Sequence, residues 1–206
     1  MSALYDFDCR MREKYPLLCG VDEAGRGPLC GPVCVAAVIL RPDYVSDYVN
    51  DSKKLSEKKR ELLFDEIIEN SIAHSIVFIG PETIDELNIL EATMKGMTDS
   101  VMNLGIRPDR VLIDGNRIPG PLKDISDYVI KGDATSMSIA AASILAKVSR
   151  DRYMLELDRM YPEYGIAKHK GYPTKAHYDA LYEHGVRSFY RKSFLKNREG
   201  LRWIDE

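Results

Sequence analysis

The chain has 206 residues, with 29 Lys or Arg against 32 Asp or Glu, a net charge of −3, and 45% apolar residues. That is enough apolar material for one sizeable core, and the charge balance is not that of a disordered chain. The longest charge-free run, Gly27–Leu40, is too short to cross a bilayer, and the N-terminus is charged with no apolar stretch. No membrane span and no signal peptide are expected, and the expected location is cytoplasmic.

In chain order, Leu17–Asp22 and Val33–Leu40 read as strands, joined by a Gly/Pro-rich turn. Ser56 is placed to cap a helix with apolar Leu62, Leu63, Ile67 and Ile68. Ser75–Ile79 reads as a short strand, and Ile84–Leu104 as one helix carrying Leu87, Leu90, Met94 and Met97. Val111–Ile113 and Tyr128–Ile130 are short strands, and Ser136–Met160 is a long helix. Its small residues Ala140, Ala141, Ala142 and Ser143 let it lie close against a sheet. Thr174–His184 is a helix ended by Gly185. This order gives an α/β core with a mixed sheet and a helical C-terminal segment.

Charge is unevenly spread. Between Tyr164 and Arg198 eight Lys or Arg stand against two acids, with seven Tyr or Phe among them. A basic, aromatic segment on an acidic body points to a polyanion partner or to a solvated helical face. Cys9, Cys19, Cys30 and Cys34 form no CxxC pair, so packing thiols are expected rather than a zinc site.

Three strands run into acid: the first into Asp22-Glu23, the next into Asp114-Gly115, the last into Gly132-Asp133. Singly, such acids cap helices and turns. Gathered at neighbouring strand ends, they repel one another unless a cation joins them. An all-oxygen set suits Mg²⁺ or Mn²⁺. Two such ions roughly 3.5–4 Å apart do phosphoryl-transfer chemistry. Asp22 and Glu23 are consecutive, so a regular strand points them to opposite faces. The backbone is therefore irregular at Glu23, or one of the two acts indirectly. Gly25-Arg26-Gly27-Pro28 follows, a loop that lets main-chain amides approach a ligand, with Arg26 in reach of a phosphate. It matches neither a dinucleotide fingerprint nor a P-loop.

GVDEAGRGP (20–28), NDSKKLS (50–56), VLIDGN (111–116), KGDATSMSIAAASILAKVSRD (131–151) and HKGYPT (169–174) resemble the signature blocks of bacterial ribonuclease HII, in the family's order. The resemblance implies a ribonuclease H-like fold, with a five-stranded mixed sheet flanked by helices. It implies residues 1–16 as an N-terminal extension, 17–155 as the catalytic domain and 156–206 as a basic helical segment packed on it. It implies an endonuclease that cuts the RNA strand of RNA–DNA hybrids and incises duplex DNA 5′ of single ribonucleotides, leaving 3′-OH and 5′-phosphate ends. The catalytic, metal-binding carboxylates fall on Asp22, Glu23, Asp114 and Asp133, the ribose-reading loop on Gly25, Arg26 and Gly27, and the junction-sensing tyrosine on Tyr172. A 2′-hydroxyl is the feature such a site must read.

Lys53, Arg191, Lys192 and Ser193 are candidate phosphate contacts. His169, His177 and His184 are expected to be structural, and Asp151 to pair with Lys147 one turn before it. A monomer is expected. Two other readings remain open on the residues alone: another metal-dependent nuclease of the same fold, or a non-catalytic nucleic-acid binding module.

Overall fold

The computed structural model describes residues 2–46, 48–49 and 55–204. Five strands, β1 (Leu18–Ala24), β2 (Val33–Leu40), β3 (Ser71–Ile79), β4 (Arg110–Asp114) and β5 (Ser126–Val129), form one sheet in the order β3-β2-β1-β4-β5. β1 and β2, and β2 and β3, run antiparallel, whereas β1 with β4 and β4 with β5 are parallel. This is the five-stranded mixed sheet that the resemblance implies.

The helices are α1 (Ala3–Arg12), α2 (Glu57–Glu69), α3 (Pro81–Leu87), α4 (Ile89–Met102), α5 (Met137–Met160), α6 (Ile166–His169), α7 (Lys175–His184) and α8 (Lys192–Leu195). α5 covers one face of the sheet and α4 the other. The small residues of α5 allow close approach: a Cβ added to Gly20 on β1 would stand 2.1 Å from the Ser138 carbonyl carbon. No larger residue fits there without pushing α5 off the sheet. On that face Ala36 and Val38 pack against Ala140, Ala141 and Ile144; on the other, Val35 and Ala37 pack with Met97 and Val101.

Some boundaries differ from the sequence reading. The helix expected over 84–104 is two helices, broken at Asn88, whose φ is +69°. The Asn88 side chain accepts from the amides of Leu90 and Glu91, so it caps α4 instead of continuing α3. On α2, capped by Ser56 as expected, the buried residues are Leu63, Phe64 and Ile67, while Leu62 is exposed. β3 starts at Ser71, four residues early, because pairing with β2 fixes its length. The 155/156 boundary falls inside α5, which runs unbroken to Met160. Its last turns place Met154 and Leu157 in a core shared with Leu29, Cys30, Tyr164, Leu181 and Tyr190, so both parts of the chain meet on one helix.

The N-terminal stretch is likewise tied in. Asp8 of α1 is fully buried and accepts from the Ser136 hydroxyl (2.7 Å) and from the Ser138 amide (2.8 Å) and hydroxyl (2.6 Å), at the first turn of α5. A carboxylate among first-turn amides complements the positive end of the helix. Cys19, Cys30 and Cys34 are buried, and burial raises each thiol to about 12, as suits packing residues. No helix among the described residues is long and apolar enough to cross a membrane.

Candidate active site

β1 is regular through Ala24, with Asp22 opposite Ala36 and Glu23 opposite Val35 on β2. The irregularity considered at Glu23 is therefore absent. Alternation sends the two carboxylates to opposite faces: Asp22 to the α5 side beside Ser143, Glu23 to the α4 side near Met94 and Met97. β4 lies parallel beside β1 and ends one residue after the Val21–Ile113 pair, at Asp114. Asp114 and Glu23 both line the cavity that holds Asp22 and also the neighbouring one beside Met94 and Met97, so the three acids share one cavity wall. Its Oδ1 accepts from the Gly132 amide at 2.6 Å, which ties the end of β4 to the turn before α5. Asp133 lies in that turn, buried, one residue beyond the tie.

Electrostatics follow from this crowding. Burial, then the charges of Glu23 and Asp114, hold the Asp22 carboxyl well above the ordinary carboxylate range. Burial also raises Glu23, with Arg26 opposing and Asp114 adding to the rise. The Arg26 guanidinium is half-exposed and 3.5 Å from Glu23, and the Lys147 ammonium facing the cavity is already paired with Asp151 at 2.6 Å. Net negative charge of hard oxygen donors is thus left facing the cavity, which fits a divalent cation. Among the described residues, no group of three or more His, Cys, Asp or Glu side chains is gathered closely enough to hold a metal ion by itself.

The same cavity, of about 300 Å³, is walled by Gly25, Arg26 and Gly27 and by Tyr172. Gly25 has φ +94°, and a Cβ there would fall 1.9 Å from the Arg150 Nε, so both the turn and the packing behind it demand glycine. A Cβ on Gly27 would lie 3.6 Å from the Tyr172 ring, which is half-exposed. The Leu29 amide donates to the Gly171 carbonyl at 2.8 Å, joining the two loops directly. Behind Tyr172, His177 is fully buried and its Nδ1 lies 2.9 Å from the Tyr172 carbonyl. That oxygen only accepts, so Nδ1 carries the proton and Nε2 accepts from the Tyr190 hydroxyl, also at 2.9 Å. Burial depresses His177 to about 4, which keeps the ring neutral, stacked on His169 at 4.0 Å between centroids. Of the histidines expected to be structural, His169 and His177 sit in this packed group.

Two candidate phosphate contacts are placed elsewhere. Arg191 is fully buried, its guanidinium bonded to the carbonyls of Gly25, Arg26 and Gly31, because the basic segment folds back behind the loop instead of facing solvent. The Ser193 amide and hydroxyl both donate to Asp85 of α3, as does the Lys192 amide. Lys53 lies outside the described residues. Ser143, Lys147 and Arg150 border the cavity without having been singled out for it. Their 143, 147, 150 spacing, a polar stripe on one face of an apolar helix, was the signal available.

The family model for Ribonuclease HII matches residues 19–197. The chain belongs to the ribonuclease HII family. It is 56% identical over 183 residues to the Ribonuclease HII of Aliivibrio fischeri (strain MJ11), covering 88% of this chain and 87% of the relative. Among solved structures, it resembles the ribonuclease H2 of Pyrococcus horikoshii OT3 (TM-score 0.75, 27% identity, 85% and 92% of the two chains). It also resembles the ribonuclease HII of Archaeoglobus fulgidus from a complex with PCNA (TM-score 0.72, 28% identity, 90% and 96%). The protein is an endoribonuclease of the ribonuclease H class, acting on RNA–DNA hybrids.

Proposed function

We propose that the enzyme also incises duplex DNA on the 5′ side of a single embedded ribonucleotide, by metal-dependent hydrolysis leaving 3′-OH and 5′-phosphate ends. The observation that carries this reading is the shared cavity. Carboxylates and a glycine loop face the same space as an exposed tyrosine, so the reacting phosphate and the sugar beside it meet one site.

Asp22, Glu23, Asp114 and Asp133 would hold Mn²⁺ or Mg²⁺, which when bound activates the attacking water and stabilises the leaving oxygen. The protein's own part is positional. The Gly132 amide fixes the Asp114 carboxylate. Lys147, balanced by Asp151, sets a cation at the cavity wall where a phosphate oxygen arrives. Gly25, Arg26 and Gly27 bring main-chain groups to a 2′-hydroxyl, which is both donor and acceptor, and Arg26 adds a charged fork. Tyr172 packs on the following sugar and disfavours a 2′-hydroxyl there, which selects an RNA-to-DNA step. In this reading the enzyme works as a cytoplasmic monomer.

The test is gel cleavage of a DNA duplex carrying one ribonucleotide, with Mg²⁺, with Mn²⁺ and with chelator, beside an all-DNA duplex. A metal-dependent cut immediately 5′ of the ribonucleotide, absent from the control, is expected. Cutting of long RNA–DNA hybrid without that cut would remove Gly25, Arg26, Gly27 and Tyr172 from junction reading and leave the carboxylate site standing.

A further inference from the structure

Two of the largest fully buried side chains among the described residues are Arg150, at the wall of the cavity, and Arg191, behind its glycine loop. Each guanidinium is spent on main-chain carbonyls rather than on a carboxylate. Arg191 donates to the carbonyls of Gly31 (3.0 Å), Arg26 (2.8 Å) and Gly25 (2.6 Å). Arg150 donates to those of Pro32 (3.0 Å), Lys170 (3.0 Å) and Cys30 (3.2 Å). Six carbonyls from the loop after β1 and the loop before Tyr172 therefore point at two cations.

A trans peptide is planar, so each C=O and the next N–H point in opposite directions. Drawing the Gly25 and Arg26 carbonyls toward Arg191 turns the Arg26 and Gly27 amides away from it. Gly25, Arg26 and Gly27 wall the cavity, and Arg191 does not reach it. Arg150 adds the register. It bonds the far end of this loop and, through Lys170, the stretch leading to Tyr172, while its shaft fills the space a Gly25 side chain would need.

We propose that Arg191 and Arg150 are positioning residues for substrate discrimination: a buried pair of guanidinium forks that presents the Arg26 and Gly27 amides to the substrate ribose and fixes their distance from Tyr172. This rests on the reading that the loop and Tyr172 recognise the ribose and the junction. Lysine cannot replace the fork, since an ammonium has no planar set of donors to hold several carbonyls at fixed angles.

The first measurement needs no substitution. Amide hydrogen exchange of the wild-type protein should leave Leu29 and Gly31, bonded to Gly171 and Phe189, protected by at least roughly a hundredfold over Arg26 and Gly27. Equal protection would overturn the proposed peptide orientation. The second uses Arg191→Lys, with Arg191→Gln as the alternative should the lysine variant not fold. The Arg26 and Gly27 amide resonances should move while the Gly132 amide stays. Cleavage at a single ribonucleotide should fall on the order of ten- to a hundredfold, through kcat more than KM. Unmoved amides, or moved amides with unchanged cleavage, would overturn the proposal. Failure of the wild-type enzyme to cut at a single ribonucleotide would instead sink the junction reading, and the exchange pattern would still report on the clamp.

Discussion

At the ends of β1 and β4 the protein gathers Asp22, Glu23 and Asp114, where the charges of Glu23 and Asp114 raise Asp22 and that of Asp114 raises Glu23. Just behind the loop after β1 it buries Arg150 and Arg191 as deeply, with each charge spread over three carbonyl dipoles. Burying a charge costs heavily unless partners satisfy it. The arginines carry their partners with them, so their region is finished scaffold. The acids crowd like charge into one cavity, which favours a cation there. Charge bonded to carbonyls builds shape in this molecule, and crowded like charge builds affinity.

Asp22→Asn strikes the crowded acids directly. Hydrolysis should fall on the order of a thousandfold or more, yet the metal-free protein should melt several degrees higher, because repulsion and desolvation are relieved together. A calorimetric scan showing a lower midpoint would mean that Asp22 is held as part of the scaffold. Tyr172→Ala, at the border of the two regions, should reduce cutting at single ribonucleotides by roughly ten- to a hundredfold with a smaller loss of duplex affinity. Equal losses in cleavage and binding titrations would assign the ring to simple docking.

Asp8→Ala takes a satisfied charge away from its partners. It leaves the Ser136 hydroxyl and the Ser138 amide and hydroxyl without their acceptor, at about 2–4 kcal/mol. Urea unfolding measures this directly, and a loss under about 0.5 kcal/mol would detach α1 from the stable core.

The smallest effect is a pair of opposite pH slopes. Asp22 and Glu23 have raised folded pKa values, so their contribution is complete below about 4, where the unfolded carboxyls are also protonated. It is lost as pH rises through the raised values, and divalent metal should cancel that loss. His177 is depressed from 6.5 to about 4. Its contribution, about 3 kcal/mol, is present above about 6.5 and lost as pH falls toward 4. Melting midpoints from pH 4 to 8, with chelator and with Mg²⁺, separate the two. Asp22→Asn should flatten only the loss on rising pH and His177→Gln only the loss on falling pH. A profile unchanged by either would sever the link between these groups and stability.

Much of this was legible in the chain. The strand-terminal acids stood out because a carboxylate after an apolar β-branched run is placed by period and turn signals, both local. Ser56 was readable as a cap for the same reason, and its side chain accepts the amide three residues on. The signature blocks fixed the family and, through it, the sheet. The break at Asn88 was hidden, because its neighbours keep a helical period while a single left-handed residue resets the axis. Arg191 was misread for a related reason. A basic side chain in a basic segment looks solvated until the segment folds back, and only the positions of the Gly25, Arg26 and Gly31 carbonyls turn it inward.

By itself, the sequence determined the α/β class, the family and the acids that end the strands, since these depend on local period and on residue types that chemistry cannot exchange. Only the tertiary structure decided that Asp22, Glu23 and Asp114 line one cavity although Asp22 and Glu23 are consecutive on a regular strand, and that two arginines serve the loop from behind. Those facts depend on parallel pairing of strands far apart in the chain and on contacts such as Arg191 to Gly25, which no local pattern encodes.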